Sequence, residues 1–145
     1  MVAASLRQRP YRSVLYIPGS KERALDKARE LDCDAIIFDL EDAVAPDEKA
    51  NARALLARVL VEADFGGRAR IVRVNGLDTE WGREDVLALA EAILAGAKVD
   101  AILVPKVSSR ADLDAVAALV PDIPLWAMME TAAGMLNAAA IAAHP

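Results

Sequence analysis

Five short apolar runs, each ending in a polar or charged cluster, constrain the fold more than any other feature of the sequence. The runs occupy residues 14–17, 35–38, 71–72, 101–104 and 125–129. Helix-like stretches rich in Ala, Leu, Glu and Arg lie between most of them. Strands that are apolar throughout and alternate with helices are typical of a parallel sheet that is buried on both faces. The sequence therefore predicts an α/β fold with polar groups at the carboxyl ends of its strands.

Two architectures place functional groups at that end of the strands, the (β/α)8 TIM barrel and the doubly wound open sheet. A complete barrel needs about 250 residues. The chain has 145 residues, with apolar runs roughly every 25 to 30 residues, which predicts about five β/α units. The helix pattern over 136–145 ends at a proline where a further strand is expected. We interpret residues 1–145 as a single, partial β/α barrel domain, truncated at its carboxyl end.

The charge balance and the absence of long apolar segments exclude two classes of partner. The formal net charge is −5, and no predicted face carries the cluster of Lys and Arg that binding to nucleic-acid phosphates requires. The stretch 1–10 lacks the apolar core of a signal peptide, and no run has the length of a membrane span. A single cysteine, Cys33, fits a reducing compartment. We expect a cytoplasmic protein that binds neither nucleic acid nor a membrane.

A Pro-Gly-Ser turn follows the first run and precedes a helix pattern. Ser20 is placed to cap that helix, and the basic residues Arg12, Lys21 and Arg23 flank the turn. A helix amino terminus with cations beside it suits a phosphate or pyrophosphate group. Two interpretations stay open. Either the turn forms a local anion site, or Ser20 simply caps the helix and the nearby cations only keep the surface soluble.

Three carboxylates follow the second run, at Asp39, Glu41 and Asp42. Alternation along a strand points Asp39 and Glu41 to the same side if the strand continues that far. Acids at the mouth of a barrel suit a metal ion, held directly or through water, or the anchoring of a basic residue across the rim. The alternative is that Asp42 or Asp47 caps the next helix while the other acids are solvated.

Single charged residues end two further runs. Arg73 ends a β-branched run, where a buried Arg is costly unless a carboxylate or a ligand satisfies it. A substrate carboxylate or thioester oxygen is a natural partner, with a salt bridge to Asp39 or Glu41 as the alternative. Glu130 follows the fifth run and is expected to be protonated, to pair with a cation, for which Lys106 is the candidate, or to bind a metal. Mg²⁺ suits a site of one or two carboxylates.

Five motifs, in order along the chain, carry a family resemblance. They are Arg12-Ser-Val-Leu-Tyr-Ile-Pro-Gly-Ser20, Ile37-Phe-Asp-Leu-Glu-Asp-Ala-Val44, Val72-Arg-Val-Asn75, Leu103-Val-Pro-Lys106 and Glu130-Thr-Ala. Together they resemble the citrate lyase beta-chain and malyl-CoA lyase family of barrel aldolases. The resemblance implies a magnesium-dependent carbon–carbon lyase of the retro-Claisen type. Its substrate would be a 3-hydroxyacyl-CoA thioester such as malyl-CoA, citramalyl-CoA or a citryl thioester.

The resemblance also implies roles for individual residues. Arg73 corresponds to the family's substrate-binding arginine and Glu130 to its magnesium-binding glutamate, so that both are candidate catalytic and substrate-binding residues. Asp39, Glu41 and Asp42 correspond to the family's acidic rim, which would hold metal-bound waters and orient Arg73. Retro-Claisen chemistry requires a cation on the hydroxyl and carboxylate of the acid and a positive group where the enolate develops.

Three basic residues, Arg12, Lys21 and Arg23, lie where the family's CoA-contacting residues tend to be. The resemblance further implies a homo-oligomer, a trimer or a hexamer. The family's second magnesium ligand would lie beyond Pro145, so the chain alone is not expected to be a competent enzyme. Many members have an arginine where this sequence has Ala133, which leaves the substrate subtype open.

Two alternatives to the lyase are kept. The first is a related barrel enzyme, either an aldolase acting on free 4-hydroxy-2-keto acids or a malyl-CoA thioesterase. Whether a CoA thioester binds, and which bond breaks, separates it from the lyase. The second is a non-catalytic half-barrel that associates with a partner chain, since fold alone does not establish an activity.

Overall fold

The computed structural model describes residues 9–145, so most of the segment used in the signal-peptide argument lies outside the described residues. The strands are β1 (Val14–Pro18), β2 (Ala35–Asp39), β3 (Ala69–Arg73), β4 (Ala101–Val104) and β5 (Leu125–Ala127). The helices are α1 (Glu22–Ala28), α2 (Lys49–Glu62), α3 (Gly82–Leu94), α4 (Arg110–Ala117), α5 (Ala132–Leu136) and α6 (Ala138–Ala142). A 3-10 turn, Pro46–Glu48, leads into α2.

The order of the strands separates the two architectures that the sequence left open. All neighbouring strands are parallel, and they follow one another in the order β1-β2-β3-β4-β5. A doubly wound sheet reverses its strand order at a switch point, and the described residues contain no reversal. Sequential order is what a (β/α)8 barrel requires.

The two faces of the sheet are covered differently. On one face, Ile36, Phe38 and Val72 pack against helix side chains such as Leu56 and Val86. The other face carries a second cluster whose buried members all come from strands: Ala35, Ile37, Ala69, Ile71, Ala101 and Leu103. Helices on one face and strand side chains alone on the other are the layers of a barrel wall and its interior. The predicted fold class, a TIM barrel represented by about five β/α units, is confirmed.

Two details differ from the sequence-based expectation. β3 begins at Ala69 because its ladder with β2 extends from the Ala35–Ala69 pair. The helix pattern over 136–145 is broken at Asn137, whose side-chain amide donates to the carbonyl of Ser108 over 2.9 Å and turns the chain between α5 and α6. In residues 9–145 no helix combines the length and the apolar character needed to cross a membrane.

Candidate active site

A buried ion pair closes the carboxyl ends of β2 and β3. Asp39 and Arg73 are directly paired in the two strands, so their side chains point to the same face. Arg73 donates from Nε to Asp39 Oδ1 over 2.8 Å and from Nη2 to Oδ2 over 2.7 Å. The side chains of Arg73 and Asp39 are only 9% and 1% exposed. This two-point contact fixes the plane of the guanidinium group.

Asp39 also shapes the loop that follows β2. Its Oδ1 accepts from the N–H of Glu41 over 2.9 Å and its Oδ2 from the N–H of Ala43 over 3.0 Å. Burial alone would raise the pKa of Asp39, but the hydrogen bonds from Arg73 and from the backbone outweigh it and lower the pKa. The hydrogen bond to Asp39 raises the pKa of Arg73. The pair is therefore ionised at neutral pH.

Glu41 lies between two cations. Its Oε2 is 3.1 Å from Arg73 Nη1, although the geometry is not that of a hydrogen bond, and its Oε1 forms an ion pair with Lys106 Nζ. Glu41 is only 7% exposed. The hydrogen bond to Glu41 raises the pKa of Lys106. Asp42, in contrast, is exposed and lies 3.7 Å from Lys106 Nζ.

The acids at the end of β2 thus hold basic residues across the rim, which is one of the interpretations that the sequence left open. Capping by Asp42 or Asp47 does not occur, because the 3-10 turn begins after Ala45 and has no side-chain cap. The carboxylate of Asp39 instead accepts hydrogen bonds from the backbone of this loop. The Arg73 salt bridge to Asp39 and Glu41, expected as the alternative to a substrate contact, is present in the structure.

Glu130 follows β5 and is exposed. Its Oε1 accepts a hydrogen bond from the main-chain N–H of Lys106 over 2.8 Å. The sequence predicted an ammonium–carboxylate pair between Lys106 and Glu130 as the alternative to metal binding, and this part of the expectation is wrong. Lys106 has a left-handed backbone with φ of 51°, which directs its N–H to Glu130 while the ammonium group pairs with Glu41.

The turn after Glu130 is anchored to the end of β4. Thr131 accepts from the N–H of Gly134 over 2.9 Å, capping α5, and its hydroxyl donates to the carbonyl of Val107 over 3.2 Å. A Cβ at Gly134 would lie 2.2 Å from that same carbonyl oxygen. The motif Glu130-Thr-Ala therefore carries a structural residue, Thr131, beside the candidate metal ligand.

A buried polar network supports the rim from the helix side and was not predicted. Lys49 Nζ donates to the carbonyls of Leu40 and Glu41 over 3.0 and 2.8 Å. Asn75 Nδ2 donates to the carbonyl of Leu40 over 2.9 Å and to Asp85 Oδ2 over 2.7 Å. Burial lowers the pKa of Lys49. The strand-end position of Asn75 was a usable signal, whereas Lys49 and Asp85 lie within helices.

The loop between β3 and α3 is pressed against the first turn of α3. The main-chain N–H of Asn75 donates to Asp85 Oδ2 over 2.9 Å. A Cβ at Gly82 would lie 2.1 Å from the carbonyl oxygen of Gly76. Only glycine allows this approach of backbone to backbone, so the loop and the helix are joined without space for a side chain.

The structure separates Arg12 from the other proposed CoA-contacting residues. Arg12 precedes β1 and lies at the amino end of the sheet, where Nη2 is 3.1 Å from Asp34 Oδ1. The hydrogen bonds from Arg12 lower the pKa of Asp34 to about 2. Strand β1 lies between Arg12 and the rim, so Arg12 is at the opposite end of the sheet. The direction of the first apolar run already indicated this position.

Lys21 and Arg23 lie at the carboxyl end of β1, on the same side of the sheet as the rim, and both are exposed. Lys21 Nζ is 3.8 Å from Glu48 Oε2. The predicted cap by Ser20 is wrong, because α1 starts after Lys21 and has no side-chain cap. The Ser20 hydroxyl is instead buried without a partner among residues 9–145. An anion site at this turn stays a prediction.

A cavity of about 630 Å³ opens beside Glu41 and Lys106. It lies between the loops that follow β2 and β3 and the helix α4, with Leu77, Trp81 and Val104 on its wall. Apolar walls with a few polar groups at the edge are typical of sites for small organic ligands. The cavity thus adjoins the charged rim on the side away from Arg73.

The described residues supply at most part of a metal site. In this part of the chain, no three His, Cys, Asp or Glu side chains are placed to hold a metal ion together. Asp39 and Glu41 are occupied by cations. Glu130 fits better, because it is exposed and its Oε1 alone carries a hydrogen bond. Mg²⁺ is usually bound by one or two carboxylates with substrate oxygens and waters.

Comparisons with known proteins extend these observations. The family model described as HpcH/HpaI aldolase/citrate lyase matches residues 12–145. A (3S)-malyl-CoA thioesterase of Cereibacter sphaeroides is 74% identical over 136 residues, which cover 94% of this chain and 46% of that protein. An L-malyl-CoA/beta-methylmalyl-CoA lyase of the same species is 41% identical over 145 residues, covering 93% and 45%. The chain spans about half the length of the curated relatives it matches.

Solved structures show the same fold. CitE from Mycobacterium tuberculosis, in complex with magnesium, acetoacetate and coenzyme A, superposes with a TM-score of 0.78 at 31% identity, covering 97% of this chain and 47% of that one. RipC from Yersinia pestis superposes with a TM-score of 0.71 at 30% identity, covering 93% and 54%. The predicted family resemblance is confirmed.

The prediction of a carbon–carbon lyase as the main activity is wrong. Relatives that are 74% identical are named thioesterases, whereas those named lyases are 41% identical. The thioesterase was predicted as an alternative and is better supported. The strand-end motifs did not separate the two activities, because both kinds of relative match this chain over nearly its whole length.

Proposed function

Since the chain belongs to the HpcH/HpaI aldolase/citrate lyase family, we propose that the full-length protein hydrolyses a 3-hydroxyacyl-CoA thioester of the malyl-CoA type. The observation that carries the proposal is the 74% identity to (3S)-malyl-CoA thioesterase across 94% of this chain. The charged rim is consistent with it, because it presents Arg73 at the end of β3 and the exposed carboxylate of Glu130 after β5, at the same end of the sheet. The predicted keto-acid aldolase and the non-catalytic half-barrel have no comparable support.

Arg73 is the candidate for stabilising the charge that develops in hydrolysis. Water attacks the thioester carbonyl carbon, negative charge forms on the carbonyl oxygen, and the carbon–sulfur bond then breaks to release CoA. Two of the five N–H groups of Arg73 are directed to Asp39. The remaining N–H groups on Nη1 and Nη2 are the candidate donors to that oxygen. Because Asp39 fixes the guanidinium plane, little reorganisation is needed during the reaction.

Tyr16, in the middle of β1, covers one face of Arg73. The Cζ atom of Arg73 lies 5.1 Å from the centre of the Tyr16 ring. Burial raises the pKa of Tyr16, so the phenol is neutral at physiological pH and keeps its proton for donation. A cation over an aromatic ring is attracted to the electron-rich face of that ring, so Tyr16 helps to hold the guanidinium group in place.

Magnesium belongs to the proposal because neighbouring structures were solved with the ion bound. In this chain Glu130 would hold it, with further ligands from outside the described residues. When bound, the ion supplies a Lewis acid to oxygens of the substrate. The task of Glu130 itself is to present one free carboxylate oxygen while the N–H of Lys106 holds the other.

Lys21 and Arg23 are proposed to meet the phosphates of CoA, as they follow β1 on the rim side and are exposed. Arg12 is left out of this role. The end of β1 at Pro18 lies six positions further along the chain, a span of about 20 Å for an extended strand. Asp34 pairs with Arg12 at the other end. The homo-oligomer and the cytoplasmic location stay predictions.

The test is the product analysis of the full-length protein with malyl-CoA, with and without Mg²⁺. Hydrolysis releases free CoA thiol and malate, whereas carbon–carbon cleavage releases acetyl-CoA and glyoxylate. We expect free thiol in equal amount to malate, and a loss of about 10²–10³ in kcat for Arg73→Lys, which removes the fork of donors. The exposed Arg58 serves as the control, since Arg58→Lys should not change the rate. Accumulation of glyoxylate without free thiol would contradict the proposal.

A further inference from the structure

One residue at the rim has a backbone that its side chain does not favour. Lys106 has φ of 51°, and among residues 9–145 it is the single non-glycine residue with positive φ. An L-residue in the left-handed region has its Cβ crowded by the backbone and is less stable there than glycine. Such a conformation persists where surrounding contacts determine it, and these positions cluster at functional sites.

The contacts of Lys106 run in two directions from the end of β4. Its main-chain N–H donates to Glu130 Oε1 over 2.8 Å, at the end of β5. Its ammonium group pairs with Glu41 Oε1, at the end of β2. The side chain of Lys106 therefore crosses the end of β3 to reach Glu41. The left-handed backbone of Lys106 thus accompanies two contacts, one from its N–H and one from its side chain, with carboxylates on different strand ends.

Glu41 extends the connection to the proposed catalytic arginine. Its other oxygen lies 3.1 Å from Arg73 Nη1, and Arg73 is itself held by Asp39. The two buried carboxylates, Asp39 and Glu41, are thereby balanced by two cations, Arg73 and Lys106. Without the ammonium group, both carboxylates would depend on one guanidinium, and a buried group would be left with uncompensated charge.

We propose that Lys106 is a positioning residue whose left-handed backbone and ammonium group tie Glu130 to Glu41, so that the candidate metal ligand and the Arg73 cluster share one fixed arrangement. The inference rests on the proposed function for the role of Glu130. The N–H of Lys106 occupies one oxygen of Glu130 and leaves the other for a cation. The ammonium group keeps Glu41 beside Arg73.

The direction of the change in Mg²⁺ affinity distinguishes positioning from simple electrostatics. If Lys106 were only a nearby positive charge, its removal would tighten the binding of Mg²⁺, because like charges repel. Loss of a group that orients a metal ligand instead weakens binding, by about 10-fold or more. The two roles therefore predict opposite changes in Mg²⁺ affinity, which can be measured without substrate.

The experiment is titration calorimetry of the substrate-free, full-length protein with Mg²⁺, on the wild type, Lys106→Met, Lys106→Gly and Lys106→Arg. Lys98→Met, which removes an exposed lysine at the opposite end of β4, is the matched control. We expect Mg²⁺ binding to weaken about 10-fold or more in the Met and Gly variants, to recover in the Arg variant and to stay unchanged in the control. With malyl-CoA, kcat should fall while KM changes little.

Folding is followed by the thermal midpoint. Lys106→Gly removes the backbone strain, so it should melt about 2–4 °C above a further variant, Lys106→Ala, made for this comparison. It also provides a folded variant if the others are unstable. Unchanged or tighter Mg²⁺ binding in Lys106→Met and Lys106→Gly would overturn the inference, as would a wild type that binds no Mg²⁺. Weakened Mg²⁺ binding in a protein that does not hydrolyse malyl-CoA would support the inference and reject only the proposed function.

Discussion

The two ends of the sheet carry the same kind of ion pair in different surroundings. At the amino end, Arg12 pairs with Asp34, and their side chains are 86% and 15% exposed. At the carboxyl end, Arg73 pairs with Asp39, and theirs are 9% and 1% exposed. The amino-end pair is solvated on the arginine side, whereas the carboxyl-end pair is enclosed and shares its cation with Glu41.

This difference shows that an ion pair between arginine and aspartate does not contribute a fixed free energy to stability. An exposed pair contributes little because water and salt screen it. A buried pair adds little beyond an apolar replacement of both partners, yet losing one partner leaves a charge with no compensation. The carboxyl end is therefore sensitive to single substitutions, which is consistent with a site whose geometry must be maintained.

The largest effect is expected from removing the cation of the buried pair. Arg73→Met leaves Asp39 and Glu41 charged and without their shared partner, and we expect a loss of about 3–5 kcal/mol in the free energy of unfolding. The matched change at the other end, Arg12→Met, should leave stability nearly unchanged. Chemical denaturation of the three full-length proteins measures the difference. Equal losses in the two variants would show that burial does not distinguish the two ends.

A smaller effect is expected in the pH dependence of stability. The pKa of Asp39 is lowered in the folded state, so its ionised form contributes stability above the ordinary carboxyl pKa of about 3.9, and this contribution is lost as pH falls through the lowered folded value. Asp39→Asn keeps the shape but removes the charge, at a cost of about 1.5–3 kcal/mol at neutral pH.

The gap in the free energy of unfolding between wild type and Asp39→Asn should therefore be widest at neutral pH. It should narrow as the pH falls below about 4. Denaturation midpoints measured from pH 7 down to pH 3 report this gap. The companion variant Asp122→Asn removes an exposed acid away from the rim and controls for general acid effects. A gap that stays constant across the range would mean that Asp39 is not titrating with a lowered pKa.

The smallest effect concerns Asp34 alone. Hydrogen bonds from Arg12 lower its pKa to about 2, and Arg12→Met removes the side-chain donors while the backbone donors of residues 12 and 13 remain. We expect the pKa of Asp34 to rise part of the way toward about 3.9, with no change in hydrolysis. Carboxyl carbon chemical shifts followed by NMR report the titration. A rate change on malyl-CoA would show that the amino end is coupled to the rim.

The strands were predictable because their pattern depends on local sequence. Runs of four apolar residues before polar clusters reproduced β1, β2 and β4 closely. The rim was predictable for the same reason, since parallel strand ends must meet at one edge of the sheet. Asp39 and Arg73 are brought together by direct strand pairing, which the order of the motifs along a barrel already required.

The remaining features depend on contacts that no local pattern encodes. Nothing in the sequence marks Lys106 as left-handed, because lysine does not favour that conformation. Lys49 reaches the rim from a helix, and its partners are backbone carbonyls. The motif Arg12–Ser20 spans the whole of β1, so its first residue lies at the amino end of the sheet and its last at the carboxyl end. The shared motif does not encode that separation.

The backbone contact between Gly82 and Gly76 determines how variants of this protein would be distributed in a saturation library. A Cβ at position 82 would overlap the Gly76 carbonyl oxygen at 2.1 Å, whereas a Cβ at Gly67 has no atom within 4 Å. Every codon other than glycine should be depleted at position 82, alanine included, while position 67 should accept a wide range of residues. The smallest possible side chain would thus be as harmful as a large one, and ranking substitutions by side-chain size would fail at position 82.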